Sequence, residues 1–234
     1  GEIYKGIGSV KFLNNSVANE LFELGKKDYT TFSDLVLDIK KNTSCNTRQL
    51  DILIKLDFFS EFGESQKLLM IVGIIDMFKG GEAKRFNLDE LEDGYIKNAV
   101  EKFSATVNKQ GKPLKQCNIL DCGAIIKECE EKIHAMKVDE FTYSQKASFQ
   151  QEYLGYISIV SGKEEDRAKL YVKSIYPVKR KKDGKQFGWS VVCQSIGSGI
   201  QNRFTIFNKN FERCGEIQEG DVILCLSFTR NGEY

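Results

Sequence analysis

KLYVKSIYPVKRKKDGKQFGWSVVCQSIGSGIQNRFTIF, residues 169–207, is where the apolar period of this chain changes from helical to alternating. β-branched and aromatic residues dominate it, and KKDGK (181–185) and GSG (197–199) divide it as turns. It is followed by KNFERCGEI (209–217), a short helical or irregular insertion, and by DVILCLSFT (221–229), a fourth strand. Two hairpins, an insertion and a further strand follow the order of a five-stranded OB-type barrel. NGE (231–233) reads as a turn into a fifth strand that the chain barely begins, so truncation of the barrel stays open.

Alternation assigns faces to these strands. Phe187, Trp189, Val191 and Cys193 fall on one face of the second strand, and Ile200, Phe204 and Ile206 together on the third, as a core would require. The other faces then carry Tyr171 and Lys173, Ser190, and Arg203 and Phe207. Stacking of bases is expected on Tyr171 and Phe207, with Trp189 buried. Whole-chain charge is uninformative, since 34 basic residues meet 33 acidic ones. Its distribution is not: from Ala168 onward 11 basic residues face 6 acidic. The excess peaks at Lys179, Arg180, Lys181, Lys182 and Lys185, in the first hairpin, which in an OB barrel closes over a bound strand.

Upstream the period is helical. Over residues 1–80, VANELFEL (17–24), FSDLVLDI (32–39), TRQLDILIKLDFF (47–59) and ESQKLLMIVGIIDMF (64–78) each carry an apolar stripe, with Asn15 or Ser16, a Thr pair, and Asn46 or Thr47 as caps. Leu50, Leu53, Ile54 and Phe58 share one such stripe, and Gly80–Gly81 stops the last helix. Residues 81–167 are looser, with charge-rich breaks such as NKQGKPLKQ (108–116) around helical pieces, and are expected to form a helical connector before the barrel at 168–234. The fold class expected is therefore α+β.

Catalytic signals are missing. A single histidine, His134, excludes HExxH, and neither a catalytic-triad signature nor a phosphate loop is found. Cys117, Cys122, Cys129 and His134 have the wrong spacing for a zinc knuckle, so no metal site is expected. The acidic clusters Asp89–Glu90 and Glu164–Glu165–Asp166 read as solvated surface. Seven cysteines without a CxxC pair fit a reducing, cytoplasmic setting. The longest apolar run, LLMIVGII (68–75), is far short of the roughly 20 residues that span a bilayer. The opening GEIYKGIG has neither an initiating Met nor a leader pattern, and a biological chain extending upstream is expected.

KGIGSVK (5–11), TFSDLVLDI (31–39) and NTRQLDILIKLDFFSEFG (46–63), in this order, resemble the region after the fingers of bacterial C-family polymerases, the alpha subunit of DNA polymerase III. QEYLGYIS (151–158) resembles the family's element before its OB domain. The resemblance implies a helix-hairpin-helix region contacting primer-template duplex DNA through Lys11, Asn14, Asn15 and Ser16, then a barrel guiding single-stranded template. It also implies that the catalytic carboxylates and their magnesium belong to an upstream palm, so that no cofactor is expected in this chain and the isolated chain adds no nucleotides. Where the family hairpin reads G-x-G, this chain has Phe12-Leu13-Asn14-Asn15. A sliding-clamp motif is matched incompletely by Ile74-Ile75-Asp76-Met77-Phe78, without its glutamine. Two rival readings are a helix-hairpin-helix plus OB repair protein and a scaffold whose barrel holds a protein.

Overall fold

The computed structural model describes residues 6–228, which divide into two compact units at Phe141/Thr142. In the first, four helices form where the stripes lie. α1 (Asn15–Leu24) starts one residue earlier than expected, because Asn14 is its cap and accepts the Val17 N–H at 2.9 Å. α2 (Phe32–Asn42) is capped by Thr31, and α3 (Thr47–Lys55) by a reciprocal box between Asn46 and Gln49. After α3 the chain enters a left-handed conformation at Asp57 (φ 61°), which turns Phe58 out of the expected stripe. Phe59 and Phe62 replace it, their rings 5.6 and 5.7 Å from that of Phe32. α4 (Ser65–Met77) is apolar on most sides and correspondingly central, burying Leu68, Ile71 and Ile75; Gly80 and Gly81, at positive φ, follow it.

The purely helical connector expected over 81–167 does not form. β1 (Arg85–Asn87), α5 (Tyr95–Lys102), β2 (Ser104–Val107), β3 (Pro113–Ile119) and α6 (Cys122–Ala135) occupy most of it, with the strands in antiparallel order β1-β3-β2. NKQGKPLKQ, read as a break, is the turn and start of a hairpin: Asn108 Oδ1 accepts the Gln110 and Lys112 N–H groups at 2.9 Å, and Gly111 takes φ 75°. β3 escaped the alternation test because only Cys117 along it is buried. Phe86 and Cys117 face each other in the β1–β3 ladder and join the same core as α1 to α6. That shared core is why the compact unit runs to Phe141 rather than ending near residue 80.

In the second unit, α7 (Tyr143–Tyr153), capped by Thr142 with Gln145, precedes the strands β4 (Lys169–Lys179), β5 (Gln186–Ser195) and β6 (Gln201–Phe207), then α8 (Asn208–Cys214) and β7 (Val222–Leu224). All pairings are antiparallel, in the order β6-β5-β4-β7, and the sheet curls into a half-barrel. Leu170, Val172, Val191, Cys193 and Ile217 fill its inside, with Trp189, Phe204 and Ile206 packed against them. Ile200 is not among them, since it sits in the turn before β6 and is exposed. The expected fifth strand lies outside the described residues. No helix among the described residues is long and apolar enough to cross a membrane.

Candidate nucleic-acid interface

β4 carries one residue more than its partner: Val172 pairs with Cys193 and Ser174 with Val192, leaving Lys173 as a bulge. An extra residue inverts the parity of everything after it. Tyr171, Ser174, Tyr176 and Val178 therefore share the face opposite the core, together with Ser190, Arg203, Thr205 and Phe207 across the ladders. This overturns half of the stacking assignment. Tyr171 has the expected parity, but its end of the face is covered by Ala147, Ile157 and Ile196, so the residue is only 4 % exposed, with its hydroxyl 3.0 Å from Ser148 Oγ. Tyr176, which the bulge brings to this face, is 54 % exposed, as is Phe207.

The open end of the face is thus bounded by two rings. Tyr176 lies level with Thr205 through Ser190, so it is two strands and two residues from Phe207, about 12 Å at ordinary sheet spacings. Between them the floor is small, Ser190 and Gly188; a Cβ on Gly188 would meet Ile206 O at 2.6 Å, so the position has no room for a side chain. Phe187 supports Phe207, ring centroids 6.0 Å apart. Arg203 stands exposed beside Val192, and Lys173 Nζ donates to Gln201 Oε1 at 3.0 Å.

The basic hairpin adjoins this face. Arg180 N–H donates to Lys185 O and Gly184 N–H to Arg180 O, both at 2.9 Å, and Gly184 (φ 67°) makes the turn possible. Lys179, Arg180, Lys181, Lys182 and Lys185 are all exposed, and none forms an ion pair with a described residue. Five cations with one Asp183 among them repel one another, and an external polyanion relieves that repulsion.

In the first unit the expected contacts are divided in their duties. Lys11 is exposed and forms no ion pair with a described residue. Asn14 is committed to capping α1, Asn15 Oδ1 occupies the space beside Gly8, and Ser16 Oγ donates to Glu20 at 2.9 Å. The incomplete clamp motif is placed in the helical core: Ile74, Ile75 and Phe78 are buried, Asp76 pairs with Lys40 at 2.6 Å, and only Met77 among its apolar residues is exposed. A partner can reach Ile75 and Phe78 only by unfolding the end of α4, so the segment is not a docking site as it stands.

Cys117 and Cys129 are core residues of the first unit, with burial pushing the Cys129 thiol up to about 12, while His134 lies on the α6 surface near Glu130. Among the described residues no three or more His, Cys, Asp or Glu side chains converge as a metal ion requires. No protein-family model, curated protein or solved structure matches this chain.

Proposed function

We propose that this chain is the DNA-holding portion of a bacterial replicative polymerase of the C family. Its first unit meets primer-template duplex and its second guides single-stranded template; the chemistry, with its magnesium, belongs to a palm outside this chain. The observation that carries the reading is the open face of the second sheet, where two exposed rings and Arg203 adjoin a hairpin of five cations that pair with no described residue. Bases stack on rings while phosphates meet cations, and neither requires a particular sequence. The return of β7 to pair with β4 after α8 supports an OB-type path for the strands. The ordered motifs KGIGSVK, TFSDLVLDI and NTRQLDILIKLDFFSEFG support the polymerase assignment, and a cytoplasmic site of action goes with it.

Single-strand affinity measured across a salt series tests the reading. With all five hairpin cations neutralised, the logarithmic slope is expected to become shallower by about two, as for a loop that meets about three phosphates. Tyr176→Ala and Phe207→Ala are each expected to weaken binding by about tenfold, at about 1 to 3 kcal/mol per stacked base. Tyr171→Ala should act differently, lowering stability through its buried ring before it touches affinity. Unchanged affinity and slope in the hairpin and Tyr176 variants would leave the sheet as a protein-docking or structural module.

A further inference from the structure

We infer that Phe12 is a wedge for double-stranded DNA, presented on a strained turn and flanked by the cations Lys11 and Arg48. This rests on the reading that the first unit meets duplex, but it replaces the way in which the contact is made. Where bare glycine backbone would let amides approach a phosphate, this chain places an aromatic side chain. Val10 to Leu13 form a tight turn, closed by the Leu13 N–H donating to Val10 O at 3.2 Å, and Phe12 occupies its third position at φ 70°. A turn with positive φ there takes glycine or asparagine, because a Cβ is crowded in that conformation. Asparagines stand two and three residues further on, yet the left-handed position is held by a phenylalanine that is 52 % exposed.

Two adjacent residues of α3 hold it there. Gln49, buried and already engaged in the α3 capping box, donates from Nε2 to Phe12 O at 2.9 Å. The Arg48 guanidinium lies 4.2 Å from the centroid of the Phe12 ring. Val10 and Leu13, on either side, are buried and anchor the turn. Lys11 and Arg48 form no ion pair with a described residue, so an exposed ring has one cation over it and another on the residue before it. Strain that persists while an apolar side chain stays half exposed points to a site. An apolar ring with cations beside it matches minor-groove wedges, which unstack neighbouring base pairs while basic residues meet the adjacent phosphates.

The test uses a short duplex carrying 2-aminopurine, whose fluorescence rises when the base is unstacked, with the full chain and its Phe12→Gly, Phe12→Ala and Phe12→Tyr variants. Wild type and Phe12→Tyr are expected to raise the fluorescence on binding. Phe12→Gly is expected to lose the rise and about tenfold in duplex affinity, while melting at least a few degrees above Phe12→Ala, because glycine accepts the left-handed turn. The double variant Lys11→Ala/Arg48→Ala should make the duplex salt slope shallower by about two. If wild type binds duplex and Phe12→Gly binds it equally with the same fluorescence, the wedge is wrong and the DNA reading stands. If wild type binds neither duplex nor single strand, both fall together.

Discussion

Glu130→Ala is expected to destabilise the first unit by about 3 kcal/mol, read as a lower urea midpoint with an unchanged slope. The carboxylate is 4 % exposed and sits at the start of α2, where Oε1 accepts the Phe32 N–H at 2.9 Å and Oε2 the Ser33 N–H at 3.2 Å. A helix leaves its first amides without partners of their own, and Thr31 Oγ1 serves only that of Asp34. Glu130 takes the two that remain deepest in the core and places its negative charge at the positive end of the helix. Alanine removes an acceptor that is charged, worth about 1.5 to 3 kcal/mol per bond before coupling, and leaves two amides dry. Glu130→Gln keeps an acceptor without the charge and should lose about half as much. A loss below about 1 kcal/mol in the alanine variant would mean that water replaces the carboxylate and that the cap is incidental.

The second large effect belongs to Gly197→Ala. An ideal Cβ there would stand 2.7 Å from both Arg167 N and Lys163 O and 2.9 Å from Asp166 C. All three are backbone atoms, so no side chain can swing away. The 163–167 turn is also tied to the strand end by the Gly197 N–H donating to Asp166 O at 3.2 Å and Ser195 Oγ donating to Arg167 O at 3.0 Å. Relief requires moving that turn, and the expected loss is at the upper end of the about 1 to 3 kcal/mol typical of overpacking. Gly111→Ala is the control. It has positive φ (75°) but nothing within 4 Å, so it should cost only the left-handed penalty, about 1 kcal/mol. Equal losses at the two positions, by thermal or chemical unfolding, would show that the close approach at Gly197 is relieved by a shift of the turn.

What the sequence disclosed and concealed follows from how far each signal reaches along the chain. α2, α3 and α4 were legible because apolar spacing and the caps Thr31 and Asn46 are local. The β4–β5 and β5–β6 hairpins were legible for the same reason, in their alternation and in the KKDGK turn. The β1-β3-β2 sheet was concealed, because three-residue β1 and largely exposed β3 bury too little to show a period. The Glu130 cap could not be seen at all, since nearly a hundred residues separate the carboxylate from the amides it serves. At the site, charge was readable and parity was not. The hairpin cations needed only counting, whereas Tyr176 required knowledge of which residue in β4 lacks a partner.

That unpartnered residue means that β4 is addressed twice. Before Lys173 its outer side chains are claimed by the unit's own helix and loop, and after it they are offered to the surroundings. The same residues paired without the bulge, with Lys173 opposite Val192, would send Ile175 and Pro177 outward and fold Tyr176 away, turning a surface for stacking into a greasy one. A search for such surfaces by residue type would pass over the difference, for it lies in whether a count is odd or even.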